Sequence, residues 1–146
     1  MRLQKQFDVG QPPDVAARIA GSDDTLQQLF SDSKTEIVER SDNRRTTQTR
    51  YRALGKEGIA TFHFVSLPEG SIAFEKVCDG NVWRELSGKV TFAKRGNSTR
   101  VTLQMMGRTK TLVPELAIRG PMQEQIDQMA SALRACIEAG EDGSEP

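Results

Sequence analysis

Apolar and polar residues alternate along the first positions of the chain, which is the period of a half-buried strand. The apolar phase holds Leu3, Phe7 and Val9, and Gly10 ends the alternation. The pattern therefore predicts a first strand over residues 2–9.

Two short helices are predicted next. Pro12, Pro13 and Asp14 suit a first helical turn, which tolerates proline, and a helix fits as far as Gly21. Ser22 is a good cap for a second helix. The apolar stripe of that second helix consists of Leu26, Leu29 and Phe30.

Between residues 34 and 106 the period changes to two, and turn signals recur at the spacing of an antiparallel meander. The turn signals lie at residues 41–43, 55–58, 68–70, 79–81 and 95–98. We therefore predict six further strands with one apolar and one polar face. The apolar phase consists of Ile37, Tyr51, Phe62, Phe64, Ile72, Phe74, Leu86, Val90, Phe92, Val101, Leu103 and Met105.

After Gly107 the period returns to 3.6, which predicts a long helix over residues 112–139. Pro121 must either kink this helix or start a second one after Gly120. The apolar stripe of the helix consists of Met122, Ile126, Met129, Leu133 and Ile137.

The order of strand, two short helices, six-strand meander and long helix predicts an α+β domain, because the helix is needed to cover the apolar sheet face. Residues 88–92 and 96–102 look like the paired last strands of a known superfamily of sheet-and-helix domains. With that order, the chain resembles the helix-grip fold of the START and Bet v 1-like (SRPBCC) superfamily, in its polyketide cyclase-like or coenzyme Q-binding-like branch. The aromatic residue that this family commonly has in its first helix region is absent. A cystatin-like cone is the alternative fold, but its long helix would usually precede the sheet.

The resemblance implies a seven-stranded curved antiparallel sheet wrapped around the C-terminal helix, with an apolar cavity between the two. Five rings of the apolar phase fall on the face toward that helix, although aromatic residues are also what any core uses. The ligand-binding residues predicted for the cavity are Tyr51, Phe62, Phe64, Phe74, Lys76, Arg84, Leu86, Phe92, Leu103, Leu116 and Met122.

The register of the hairpin around residues 79–81 decides which charged side chains become cross-strand neighbours. A three-residue loop pairs Phe74 with Leu86, whereas a two-residue turn sends these two to opposite faces and gains a charge pair. Burial of a large side chain is worth about 1.5–3 kcal/mol and a cross-strand charge pair about 0.2–1 kcal/mol, so we predict the three-residue loop. Lys76 then faces Arg84, where an anionic ligand group would relieve the repulsion, unless both cations simply reach water.

Length and composition agree with one domain, over residues 1–140, followed by a disordered tail at 141–146. The 146 residues are 36% hydrophobic and 27% charged, and no stretch approaches the roughly 20 apolar residues of a transmembrane segment. Twenty basic residues balance twenty acidic ones, so nucleic acid is not an expected partner. A homodimer is left open.

Candidate catalytic groups are few. His63 is the single histidine and falls on the polar phase of its strand, so no Ser-His-Asp grouping facing the apolar side is available. Cys78 and Cys136 have no second ligand at metal-binding spacing, and we expect both to be reduced and buried. No metal or cofactor is predicted, and the expected compartment is the cytoplasm because no signal-peptide pattern is present.

These features predict the binding or transport of a small hydrophobic or amphipathic molecule, such as a lipid, polyketide or quinone-like compound. A polyketide cyclase or dehydratase-like enzyme using the same cavity is the first alternative. The second is a ligand-free interaction module. Binding is favoured over catalysis, and the sequence does not identify the ligand.

Overall fold

The computed structural model describes residues 1–30, 32–53 and 55–140 of the chain. The elements in these residues are β1 (Arg2–Val9), α1 (Pro13–Ala20), α2 (Asp23–Gln28), β2 (Lys34–Arg40), β3 (Arg44–Ala53), β4 (Lys56–Ser66), β5 (Ile72–Lys76), β6 (Trp83–Arg95), β7 (Ser98–Thr109) and α3 (Glu115–Ala139). The tail predicted at 141–146 lies outside the described residues.

The seven strands form one antiparallel sheet in the order β1-β7-β6-β5-β4-β3-β2. Each strand of the meander from β2 to β7 lies beside its successor. The first strand, β1, pairs with the last, β7, so that Arg2 lies opposite Met106 and Val9 lies opposite Thr99. The predicted α+β architecture, with two short helices after the first strand, is confirmed.

Helices α1 and α2 close one side of the interior. Proline in the first turn starts α1, which buries Val15, Ala16, Ile19 and Ala20. The Oγ of Ser22 caps α2 by accepting a hydrogen bond from the Thr25 amide at 3.3 Å. The apolar stripe predicted for this helix is buried: Leu26 lies within α2, and Leu29 and Phe30 come directly after it. The ring of Phe30 thereby lies over the sheet.

Helix α3 covers the apolar sheet face, and its predicted stripe is buried: Met122, Ile126, Met129, Leu133 and Ile137. It begins at Glu115 rather than at 112, because Pro114 is extended and residues 111–113 form a turn. Pro121 lies inside the helix, which continues through it without splitting. Among the described residues, no helix is both long and apolar enough to cross a membrane.

The predicted register of the β5–β6 hairpin is wrong by two residues. Phe74 pairs with Gly88 rather than with Leu86, so Lys76 and Arg84 are not cross-strand partners. The connection between the strands spans residues 77–82 and is longer than three residues. A shift of two residues leaves every side chain on its face, so Phe74 and Leu86 are both buried, as the apolar phase predicts.

His63 and the two cysteines lie away from the centre of the interior. His63 is on the outer sheet face, where its Nδ1 lies 2.9 Å from Thr46 Oγ1. Cys78 and Cys136 are free thiols, but each is only half-buried, so the prediction that both are buried is wrong. Both instead pack at the margin of the core.

Candidate functional site

A cavity of about 410 Å³ lies between the inner sheet face and α3. Its walls are contributed by β3 to β7, by the segment after α2, by the β5–β6 connection and by the N-terminal half of α3. Cavities of roughly 300–1,000 Å³ are typical of small-molecule sites. The apolar residues that line it are Phe30, Ala60, Phe62, Val82, Trp83, Leu86, Met105, Ile118, Pro121, Met122 and Met129.

A row of phenylalanine rings runs from the cavity into the core. Phe30 stacks on Phe62 with ring centroids 5.6 Å apart, and both rings line the cavity. Phe64 and Phe74 continue the row with centroid separations of 6.1 and 5.7 Å, but they pack deeper and do not reach the cavity. The row gives the cavity a rigid aromatic wall on the β4 side.

Trp83 forms part of another wall and was not among the predicted site residues. A register shift between Trp83 and Glu85 interrupts the β6–β7 pairing, which places Trp83 on the same face as Leu86 despite their odd spacing. The indole lies over Gly107 on β7, where any side chain would collide with it. Strict alternation counted back from Leu86 puts Trp83 on the outside, so the sequence pattern alone misses it.

Hydroxyl groups lie at the β3 end of the cavity. Thr49 Oγ1 is 2.8 Å from Thr35 Oγ1 in a buried pair, and Thr49 contributes to the lining. Tyr51 also lines the cavity but is 43% exposed, and its ring lies against Gly58, its cross-strand partner on β4. A ligand in the cavity would meet the Tyr51 ring and hydroxyl at the opening rather than in the interior.

The two predicted cations separate in the structure. Lys76 lines the cavity, is half-buried and donates a hydrogen bond from Nζ to the Val77 carbonyl at 3.3 Å. Arg84 is exposed and turns away, with its Nη2 donating to Thr111 Oγ1 at 3.1 Å. Among the described residues that line the cavity, Lys76 is the one charged side chain.

Five of the eleven predicted ligand-binding residues line the cavity, namely Tyr51, Phe62, Lys76, Leu86 and Met122. The other six do not line it. Leu103 is fully buried beneath it, Leu116 is 86% exposed on the outside of α3, and Phe92 is half-buried near the far end of β6. The remaining three are Phe64, Phe74 and Arg84.

The chemistry available in the cavity is that of one ammonium, several hydroxyl and amide groups, and a large apolar surface. The amides come from Asn81, Gln125 and Gln128 at the side of the cavity bounded by α3 and the β5–β6 connection. In the described parts of the chain, no group of three or more His, Cys, Asp or Glu side chains is placed to hold a metal ion. The arrangement can hold an apolar body and orient one polar end.

No protein-family model matches this chain, and no curated protein matches its sequence. Solved structures do match in fold. A START superfamily protein from Mycobacterium smegmatis superposes with a TM-score of 0.73 at 15% identity, over 94% of this chain and 97% of the other. The ZhuI aromatase/cyclase from Streptomyces gives a TM-score of 0.72 at 15% identity, over 94% and 90% of the two chains. Ara h 8.0201 gives 0.70 at 14% identity, over 96% and 99%.

Identities this low establish shape rather than activity. The matches nevertheless cover at least 94% of the chain, so they extend over nearly all of the strands and helices that the structure contains. The chain therefore has the helix-grip fold of the START and Bet v 1-like superfamily.

Proposed function

We propose that the chain binds one small hydrophobic or amphipathic molecule in the cavity between the sheet and α3. The observation that carries the proposal is a mostly apolar cavity with a single ammonium group, that of Lys76, among its described lining residues. Pockets with a large apolar surface and a few convergent polar groups are typical of small-molecule sites.

The apolar body of the ligand would lie between the aromatic wall and α3. Phe30 and Phe62 offer stacked rings on one side, and Met122 and Met129 offer flexible thioether side chains on the other. Methionine adapts to irregular shapes and contacts aromatic rings favourably. This wall fits planar or chain-like apolar molecules, including the lipid, polyketide and quinone-like compounds expected from the sequence.

The polar end of the ligand would lie near Lys76. The ammonium satisfies one of its three donor positions with the Val77 carbonyl, which leaves donors for a ligand carboxylate, phosphate or carbonyl oxygen. Arg84 is not part of this proposal, because its side chain lies outside the cavity. Tyr51 adds a hydroxyl at the opening.

The test uses Trp83, the single tryptophan of the chain, as a built-in reporter. N-phenyl-1-naphthylamine, an apolar dye, is titrated into the protein, and both the dye emission and the Trp83 emission are followed. Saturable binding with a change in Trp83 emission is expected. A flat titration would remove the basis of the proposal.

A matched pair of variants separates the cavity from the packed core. Ala60 lines the cavity, so Ala60→Leu fills empty space and should weaken dye binding with little change in stability. Ala16 is fully buried away from the cavity, so Ala16→Leu should overpack the core and cost about 1–3 kcal/mol. If Ala60→Leu destabilises the protein as much as Ala16→Leu does, the space is packed core and the proposal fails.

A cyclase-like enzyme is the second candidate, and the likeness to the ZhuI aromatase/cyclase is the observation that favours it. The Tyr51 hydroxyl and the Lys76 ammonium would then be the groups that contact substrate. Native mass spectrometry of the protein purified from cells distinguishes the two candidates. A retained molecule that stays unchanged on incubation supports binding, and one that loses water over time supports the enzyme.

A further inference from the structure

Two leucines stand almost fully exposed where β7 passes into α3. Leu112 is 94% exposed and Leu116 is 86% exposed, whereas the other large apolar residues that the structure describes outside the core are at most about half-exposed. Single exposed leucines are common on protein surfaces. These two lie four positions apart, in a segment that also contains the half-buried Val113 and Ile118.

The exposed leucines lie close to the part of the cavity wall that is formed by the β5–β6 connection and the start of α3. The backbone amide of Lys110 donates to the Val82 carbonyl at 2.8 Å, and its Nζ donates to the Gly80 carbonyl at 2.6 Å. Gly80 and Val82 line the cavity, and so does Ile118, two residues after Leu116. The turn that carries Leu112 is therefore bonded directly to the cavity wall.

Basic residues outnumber acidic ones in the segments around the leucines, although the chain is neutral overall. Residues 76–85 and 108–119 together carry five basic and three acidic side chains. Two of the acidic groups lie near cations: Glu85 is 4.0 Å from Arg108, and Glu115, which lies between the leucines in sequence, is 3.4 Å from the N-terminal amine. Arg84, Lys110 and Arg119 extend the positive surface around the leucine pair, and all three are exposed.

We propose that this surface docks on a lipid bilayer with anionic headgroups, with Leu112 and Leu116 inserted among the lipids and Arg84, Lys110 and Arg119 against the headgroups. Apolar side chains ringed by cations bind membrane interfaces through both burial and electrostatic attraction. A second copy of the chain fits this face less well, because a self-complementary contact would bring like charges together. Docking would place the cavity wall against the membrane.

The experiment measures co-sedimentation of the full chain with phosphatidylcholine vesicles that either contain or lack phosphatidylglycerol. Binding is expected only with the anionic lipid, and it should weaken as salt is added. The Leu112→Ser/Leu116→Ser double variant should bind about tenfold more weakly for each leucine removed. The Arg119→Gln variant should bind about fivefold more weakly.

Matched controls remove equivalent groups elsewhere. Val38→Ser/Ile59→Ser removes two apolar side chains that are 44% and 52% exposed on the sheet. Arg95→Gln removes an exposed arginine at the opposite end of β6. Both controls should sediment like the parent, and thermal melts of every variant set a temperature at which all of them are folded during the assay.

Failure of the parent to bind anionic vesicles would overturn the proposal, and so would equal losses in the test and control variants. A parent dimer that becomes monomeric in the leucine double variant would assign the face to a second copy instead. The dye titration with Trp83 is done without vesicles, so the cavity proposal and the docking proposal fail independently.

Discussion

The ring of Phe74 occupies the space that a side chain at Gly88, its partner across the β5–β6 ladder, would need. A methyl group at position 88 would overlap Phe74 Cζ and also the backbone carbonyl oxygen of Gln104 on β7. Because the carbonyl cannot move without breaking the ladder, Gly88→Ala should lower the free energy of unfolding by about 1–3 kcal/mol. Urea unfolding measures the change.

Gly120→Ala is the matched control. Gly120 lies exposed in α3, and a Cβ there would meet nothing within 4 Å. Alanine is the better helix former, but its Cβ would crowd the ring of Pro121, the next residue in the helix, so we expect this variant to change the stability by less than about 1 kcal/mol. If Gly88→Ala is no more destabilising than Gly120→Ala, the Phe74 ring does not lie over Gly88.

The pairing of Phe74 with Gly88, where Leu86 was predicted, shows what alternation in sequence can and cannot predict. A period of two assigns each residue to a face, which is why the apolar phases of Phe74 and Leu86 are right. Pairing across a hairpin depends also on loop length and on which partner leaves room for a ring, and a shift by two residues changes no face. Gly88 accommodates Phe74 because it has no side chain. The prediction compared only the free energies of side-chain burial and charge pairing, so it did not consider the space that the ring needs.

The site was harder to predict than the fold for two further reasons. A register shift in β6 reverses the phase before Leu86, so Trp83 enters the cavity from a position that alternation assigns to the outside. Helix periodicity identified the buried stripe of α3, but Leu116 lies in the first turn of the helix and points to solvent. Both errors arise at element ends, where regular periods stop.

Thr47 provides a second prediction, because its hydroxyl is buried without a partner. The residue is fully buried on β3, between Ile37 on β2 and Phe62 on β4, and its Oγ1 has no hydrogen-bond partner among the described residues. Thr47→Val keeps the branched shape and removes the unpaired hydroxyl, so it should stabilise the protein by about 1–3 kcal/mol.

The neighbouring threonine should respond in the opposite direction. Thr49 Oγ1 is paired with Thr35 Oγ1, so Thr49→Val leaves the Thr35 hydroxyl buried and unpaired. We expect this variant to lose about 1–3 kcal/mol in urea unfolding with an unchanged m-value. Stabilisation by both substitutions would mean that the Thr35–Thr49 hydrogen bond contributes nothing.

Asp23 ties α2 to the β2–β3 hairpin. Its carboxylate accepts hydrogen bonds from Arg45 Nε at 2.8 Å and Arg40 Nε at 2.9 Å. The Arg45 hydrogen bond, followed by that of Arg40, lowers the pKa of Asp23 below its ordinary value of 3.8. Because the folded pKa is below the unfolded one, this stabilisation is complete above about pH 5, begins to fall near the unfolded pKa and is lost as the pH falls through the folded pKa.

Asp23→Asn should therefore reduce stability at neutral pH by about 0.2–1 kcal/mol, a small value because the side chain is partly exposed. It should also flatten the fall in stability below pH 4. Asp24→Asn is the control, since Asp24 is exposed in the same helical turn and has the same relation to the helix dipole. Equal acid sensitivity of the Asp23 variant and the parent would contradict the predicted role of the two arginines.

Lys76 supplies the last prediction, which concerns the polar end of the ligand. Lys76→Met keeps an unbranched apolar stem only one heavy atom shorter and removes the ammonium from the cavity wall. A charge-assisted hydrogen bond is worth about 1.5–3 kcal/mol, so the affinity of the variant for dodecanoate should be lower by a factor of about ten or more.

Dodecanol has the same chain without the charge, and it should bind the variant and the parent alike. Arg84→Gln should leave both affinities unchanged, because Arg84 lies outside the cavity. Competition with N-phenyl-1-naphthylamine gives all three comparisons. A loss of dodecanol affinity equal to the loss for dodecanoate would mean that Lys76 contributes shape rather than charge to the cavity.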